Sequence, residues 1–415
     1  MEPPQLPCEV IERIIGHSSD HPDTLNSFSF TCSRLRPRAL CLMVGRVTLW
    51  SRNRTFAFVD FVRAKPHLKP LVRSIVVDPT EFAPFPLLHI LPNLSEIEFT
   101  SWLLSRNILA LHPSCLTCFQ RFGTQIQTLH LSGLSFATYL PFARLLLAFA
   151  NISHLTCTDV VIQTAGDGPP LAVVQRRLSE QMRLKTLTMS APQRLAGAIV
   201  PRWLPCSSSQ THSSSLLQRG ASVCAFLFHP DLIPSTVENL RLMGAEPDAF
   251  FNLSSWSRLR SLVLRLPYDH RLLTSAAKLL EEFHSPTLAE VMLELHSAPS
   301  VLHVLRDLSC SGQLEFRPDI PQGLERALLR FPQPRMTWIV SEPLRVGRHS
   351  FWICELGKQF PVLFQRGALE LKSRTAFPAG HDALIHAFVA SPDGTWVASG
   401  SDDGTASSGT FKMGR

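Results

Sequence analysis

Ile126-Gln127-Thr128-Leu129-His130-Leu131-Ser132 places an apolar residue, another three later and a third two beyond that. Its last two apolar residues alternate with Thr128, His130 and Ser132, the pattern of a short strand with one buried face. The spacing recurs on both sides, as Val72/Ile75/Val77, Leu94/Ile97/Phe99, Ile152/Leu155/Cys157 and Leu184/Leu187/Met189. Val237/Leu240/Leu242, Leu259/Leu262/Leu264 and Leu288/Val291/Leu293 complete eight copies. Between middle residues the intervals are 22, 32, 26, 32, 53, 22 and 29, and the 53-residue interval has room for one unrecognised repeat. Tyr139 to Ala150 and Leu272 to Phe283 have the length and apolar spacing of helices between strands. A strand and a helix, repeated, stack into a curved solenoid whose parallel strands line one face.

The region resembles the irregular leucine-rich repeats. It departs from them because the asparagine that usually follows the strand motif is mostly absent and the intervals vary. A non-repetitive α/β domain with a parallel sheet is the other architecture the pattern allows. In either, the loops at the strand ends offer a binding face. Two interruptions are expected: the turn cluster Gly166-Asp167-Gly168-Pro169-Pro170, and a polar Ser-rich surface insertion near 205–216. The latter reads as an inert linker before it reads as a phosphorylated segment.

At the N-terminus, Leu6-Pro7-Cys8-Glu9-Val10-Ile11-Glu12-Arg13-Ile14-Ile15 reads as a helix start, with Pro7 where its missing N–H has no intrahelical partner. Val10, Ile11, Ile14 and Ile15 share one face. A second helix from Pro22-Asp23 carries Leu25 and Phe28, and a third from about Cys32 to Met43 carries Leu35, Leu40 and Leu42. Three helices this short cannot bury all their apolar side chains, so the surplus requires a partner. The order and spacing of Leu6, Pro7, Glu9, Ile11, Ile14, Ile15, Leu25, Phe28, Cys32, Leu35, Val47 and Leu49 resemble the F-box, with Leu35 where that family usually has tryptophan. The resemblance implies binding to a Skp-type adaptor of a cullin-RING ubiquitin ligase. Its adaptor-binding residues would be Leu6, Pro7, Val10, Ile11, Ile14, Ile15, Leu25, Phe28, Cys32 and Leu35.

The C-terminal stretch Gly380-His381 followed by Ser391-Pro392-Asp393-Gly394-Thr395-Trp396-Val397-Ala398-Ser399-Gly400-Ser401-Asp402-Asp403-Gly404-Thr405 resembles the first half of a WD repeat. Phe388-Val389-Ala390 and Trp396-Val397-Ala398-Ser399 read as strands joined by a Pro-Asp-Gly turn. The resemblance gives His381, Ser399 and Asp402 the hydrogen bonds that anchor a tryptophan on a third strand. That tryptophan is missing, and no third strand is expected after Thr405. One partial blade cannot close a propeller, which implies a truncated or degenerate relative.

Of the 415 residues 45% are apolar and 18% charged, so most of the chain should fold. Its net charge of +7 comes from Lys and Arg scattered singly and in pairs such as Arg176-Arg177, which argues for a solvated basic surface over nucleic-acid binding. No targeting or membrane segment is expected, since the apolar stretch Leu140 to Ala150 is short and interrupted by Pro141 and Arg144. A cytoplasmic or nuclear location follows from that reading. Ten dispersed cysteines suggest mainly buried free thiols. His112, Cys115 and Cys118 lack the second ligand pair of a structural zinc site, and no cofactor is expected. Phosphate-loop, nucleophile-elbow and His-Glu-x-x-His signatures are absent, so no catalytic residue is assigned.

The expected fold is mixed α/β: an F-box at 1–50, a helical linker at 51–70, a leucine-rich-repeat-like target-binding domain at 71–345 and a C-terminal segment at 346–415 with a partial WD repeat at 380–405. The expected role is target recognition in a cullin-RING ligase, with no catalysis by this chain and an unidentified protein target. A scaffold outside ubiquitin transfer, or a degenerate F-box and WD-repeat relative, are the alternatives.

Overall fold

The computed structural model describes residues 8–18, 22–31, 33, 35–79, 84–101, 108–163, 169–190, 221–222, 227, 236–244, 256–267, 270–283, 287–297, 319–340, 348–373, 385–390, 396–401 and 406–410. Their main feature is an 11-stranded sheet in which every pairing is parallel. All eight motifs are strands of it: β2 (Ser74–Val77), β3 (Glu96–Thr100), β4 (Thr128–Ser132), β6 (His154–Thr158), β8 (Thr186–Ser190), β10 (Asn239–Met243), β11 (Ser261–Pro267) and β12 (Glu290–Ser297). Strand order follows chain order, so each repeat lies on its predecessor.

The motif fixes the register. Ile75, Ile97, Leu129, Leu155, Leu187, Leu240, Leu262 and Val291 are successive ladder partners, and Val77 through Leu293 form a second row two residues on. All the motif residues are buried in one continuous core. Each fully buried aliphatic side chain is worth about 1.5–3 kcal/mol, and a one-residue slip would turn a whole row outward.

The array is longer than the motif count implied. Val47-Thr48-Leu49, which holds the last two positions of the F-box-like series, is strand β1 (Arg46–Leu49), pairing Val47 with Ile75 and Leu49 with Val77. Val44, Val47 and Leu49 keep the motif spacing. At the other end, β13 (Gln333–Val340) and β14 (Leu369–Ser373) extend the sheet. Phe331, Pro334 and Met336 also keep the spacing, but a proline in the middle position argues against a strand. Pro334 fits because alternate residues of a parallel strand point their N–H groups to opposite neighbours. Gln333 donates toward β12 and Met336 toward the β14 side, where pairing begins only at Met336 with Leu369, so the N–H that Pro334 lacks would have faced no strand.

The 53-residue interval hides no further strand of this sheet, because β8 and β10 are direct neighbours with Leu187 beside Leu240. Ala221–Ser222 within it forms β9, antiparallel to β7 (Val161–Ile162), which is itself parallel to β5 (Ser135–Phe136). The Ser-rich stretch near 205–216 lies outside the described residues, as do Gly166, Asp167 and Gly168 of the expected turn cluster, whose Pro169 and Pro170 begin a helix.

A backbone device repeats with the strands. The carbonyls of Arg73, Ser95, Gln127, Ser153, Lys185, Glu238 and Arg260 each accept two consecutive N–H groups from the next repeat; Ser153 and His154 on Gln127 are one pair. Directly after β4, β6 and β10 the chain turns through Gly133 (φ 63°), Asp159 (φ 53°) and Gly244 (φ 67°). Only Gly enters this left-handed region without penalty, with Asp among the better-tolerated alternatives.

Helices cover one face of the sheet. They include α4 (Arg52–Ala64), α5 (Phe85–Leu88), α6 (Pro113–Phe122), α7 (Tyr139–Leu147), α8 (Pro169–Gln181), α9 (His270–Glu282), α10 (Asp319–Leu328), α11 (Arg348–Gln359) and α12 (Pro361–Gln365). The expected linker is α4 with a 3-10 turn at Pro66–Leu71, and Val59 of α4 belongs to the main core. Phe99, Phe119 and Phe149 meet there, with ring centroids 5.0 to 6.2 Å apart. Glu325 of α10 is buried, and its Oε1 accepts the Leu363 N–H at 2.8 Å in the first turn of α12.

At the C-terminus, β15 (Ile385–Ala390), β16 (Trp396–Ser401) and β17 (Ala406–Thr410) form an antiparallel three-stranded sheet. The third strand corrects the expectation of none after Thr405. Ala406-Ser407-Ser408-Gly409 has low strand propensity, and pairing with Trp396–Gly400 overrides it.

Candidate docking surfaces

Three helices precede β1: α1 (Cys8–His17), α2 (Pro22–Thr31) and α3 (Arg36–Gly45). The third starts four residues later than its apolar pattern suggested, because Pro37 is tolerated only in a first turn. Their shared core is small: Ile15 and Leu25 at 1% exposure and Ala39, with Phe28, Leu35, Leu42 and Met43 half-buried against it. It is separate from the core under the sheet. Large apolar side chains remain outside it, with Ile14 44% exposed, Phe30 81% and Leu40 38%.

The residues singled out from the sequence therefore divide. Ile15 and Leu25 hold the helices together, Phe28 and Leu35 flank them, and Ile14 faces outward. Val10 and Ile11 lie on α1, with side chains outside the described residues. Leu6, Pro7 and Cys32 are also outside. Phe30, the most exposed, was not anticipated. The signal was its spacing from Phe28, since helical residues two apart do not share a face.

The second surface is the open face of the sheet, opposite the buried rows. Across β4, β6 and β8 it presents Thr128, His154 and Thr186, then His130, Thr156 and Thr188, then Ser132, Thr158 and Ser190. This field of hydroxyls and imidazoles is bordered by Arg–Glu ion pairs and one His–Glu contact. On one side are Arg46–Glu98 at 2.7 Å and His130–Glu96 at 3.6 Å; on the other are Arg265–Glu294 at 2.6 Å and Arg335–Glu290 at 4.0 Å. Ser74 and Ser261 donate to Glu96 and Glu290 at 3.1 and 3.2 Å. Arg241 stands exposed between Thr188 and Val263 and makes no ion pair among the described residues. The open face is polar, with its side chains in register from strand to strand.

His112 serves structure: its Nδ1 accepts the Ser114 N–H at 3.2 Å, capping α6, on which Cys115 and Cys118 are half-buried. Among the described residues no group of three His, Cys, Asp or Glu is placed to hold a metal ion. Also among them, Cys157 is the one fully buried free thiol; Cys41, Cys115 and Cys118 are half-buried and Cys354 exposed, against the expectation of mainly buried thiols. His381 and Asp402 lie outside the described residues, and Ser399 pairs with Phe388 and Ser407 on β16. No described helix is long and apolar enough to cross a membrane.

Comparison with protein-family models finds no match. No curated protein matches the chain either. Among its described residues the chain has a mixed α/β fold on an 11-stranded parallel sheet, preceded by three helices with a core of their own.

Proposed function

We propose that the chain is a target-recognition subunit of a cullin-RING ubiquitin ligase, binding a Skp-type adaptor through α1–α3 and a protein target through the leucine-rich-repeat-like sheet face. The observation that carries this reading is the exposure of Ile14, Phe30 and Leu40 on a helical unit whose own core is too small to cover them. Its F-box resemblance supplies the identity of the partner. The sheet face, polar and broad, supplies a place for the target. No chemistry is assigned to this chain: it holds a target near a ubiquitin-loaded enzyme, and effective concentration does the rest.

The test is capture of purified full-length protein by a Skp-type adaptor, beside an Ile14→Asp/Phe30→Asp double variant. Each buried Ile or Phe contributes about 1.5–3 kcal/mol, so the double variant should bind at least roughly a hundredfold more weakly at an unchanged melting temperature. Failure of the folded wild-type chain to bind overturns the reading. Binding without ubiquitination of any captured protein points to a scaffold.

A further inference from the structure

The Lys and Arg that form no run in the sequence are nonetheless dense around the start of the sheet. Residues 34–73 hold ten of the 40 Lys and Arg but only Asp60 of the 33 Asp and Glu, so the rest of the chain is slightly acidic, with thirty against thirty-two. This segment forms α3, β1, α4 and the 3-10 turn, which pack against one another. Arg36, Arg38, Arg54 and Arg73 are exposed and make no ion pair among the described residues. Unpaired like charges at this density raise the energy of the free protein and favour an anionic partner.

On α4 the charges are interleaved with exposed aromatic rings. Arg52, Phe56 and Arg63 share one flank by their spacing of four and seven, and Arg54, Phe61 and Lys65 share the other by seven and four. Phe56 is 46% exposed and Phe61 39%. The Arg52 guanidinium lies 5.6 Å above the Phe56 ring and the Lys65 ammonium 5.0 Å above Phe61. Between the flanks Asp60 faces solvent, 3.8 Å from Arg63.

We propose that α4 is a third docking surface, which binds an acidic segment of a partner protein. Its carboxylates meet Arg54, Arg63 and Lys65, and its apolar side chains cover Phe56 and Phe61. The geometry disfavours the other polyanions. Single-stranded nucleic acid needs open ring faces for stacking, and here one face of each ring already lies under a neighbouring cation, Arg52 over Phe56 and Lys65 over Phe61. An anionic bilayer needs apolar side chains that insert, whereas these rings are half covered and Asp60 stands between them. A peptide with spaced carboxylates straddles Asp60. The surface is distinct from Ile14, Phe30 and Leu40, so the inference does not depend on the adaptor reading.

The test titrates the full chain into a labelled Glu-rich peptide carrying leucines. Parallel arms use the same peptide with Lys for Glu, a single-stranded oligonucleotide, and phosphatidylserine vesicles. The expected result is binding of the acidic peptide that weakens with added salt and falls roughly tenfold or more in Arg54→Glu/Arg63→Glu/Lys65→Glu, with the melting temperature unchanged. Should that variant not fold, Arg54→Gln/Lys65→Gln with Phe61→Ala keeps the comparison. No binding of the acidic peptide, equal binding by the folded variant, or tighter binding of the oligonucleotide or vesicles overturns the proposal.

Discussion

Gly133 and Gly244 occupy the same place in two repeats, with φ of 63° and 67°, but they differ in what surrounds them. A Cβ on Gly133 would sit 3.1 Å from the Ser101 carbonyl oxygen, while one on Gly244 would meet nothing within 4 Å. Alanine at either position bears the left-handed penalty of about 1–2 kcal/mol, and at Gly133 the close approach adds to it. Gly133→Ala should therefore lower the urea midpoint more than Gly244→Ala at a common slope. Equal losses would show that the Ser101 carbonyl yields freely. The apolar spacing legible in the sequence is silent on this constraint, because a turn glycine looks alike whether or not a backbone crowds it. Asp159, the third member of the series, shows why no glycine rule alone would have found the position.

Among elements, the repeats are joined by more than their strands. Asn93, Asn151 and Thr287 each stand four residues before the middle strand residue and donate to a carbonyl of the preceding repeat: Pro70 at 2.8 Å, Thr124 at 2.6 Å and Ser257 at 2.9 Å. The familiar asparagine after the strand is mostly absent here, and a polar side chain before the strand links neighbouring repeats instead. Asn151→Ala should cost about 0.5–1.5 kcal/mol and speed hydrogen exchange at Ser153 and His154, the amides beside it. Unchanged exchange would mean that the backbone pair on Gln127 suffices. The helical elements were legible where an apolar face or a proline marked them, as in α1, α2 and α9. The start of α3 was misplaced because the apolar pattern continued upstream of Pro37. Phe30 was missed for a related reason: apolar residues read as core until the packing shows which of two neighbours fits inside.

At the scale of the molecule, the helical unit and the sheet are continuous through β1, and this bears on any shortened chain. A chain starting at residue 51 lacks β1, leaves the edge of β2 (Ser74–Val77) unpaired and uncovers part of the core that Leu49 closes. Exposed parallel edges invite association. That chain should elute as larger species in size-exclusion chromatography, whereas one starting at residue 44 should elute as the full-length chain does, relative to its mass. The same elution from both would place β1 outside the cooperative core. By itself the sequence determined which residues form the buried rows of eight strands, because a spacing of three and two leaves one face to bury; it left two architectures open for their stacking. Only the tertiary structure decided the chain order and the ends of the array, the direct pairing of β8 with β10 across the 53-residue interval and the outward turn of Phe30. Those depend on which strand a residue meets across space, which no local spacing encodes: Pro334 is admissible because its missing N–H has no strand opposite it.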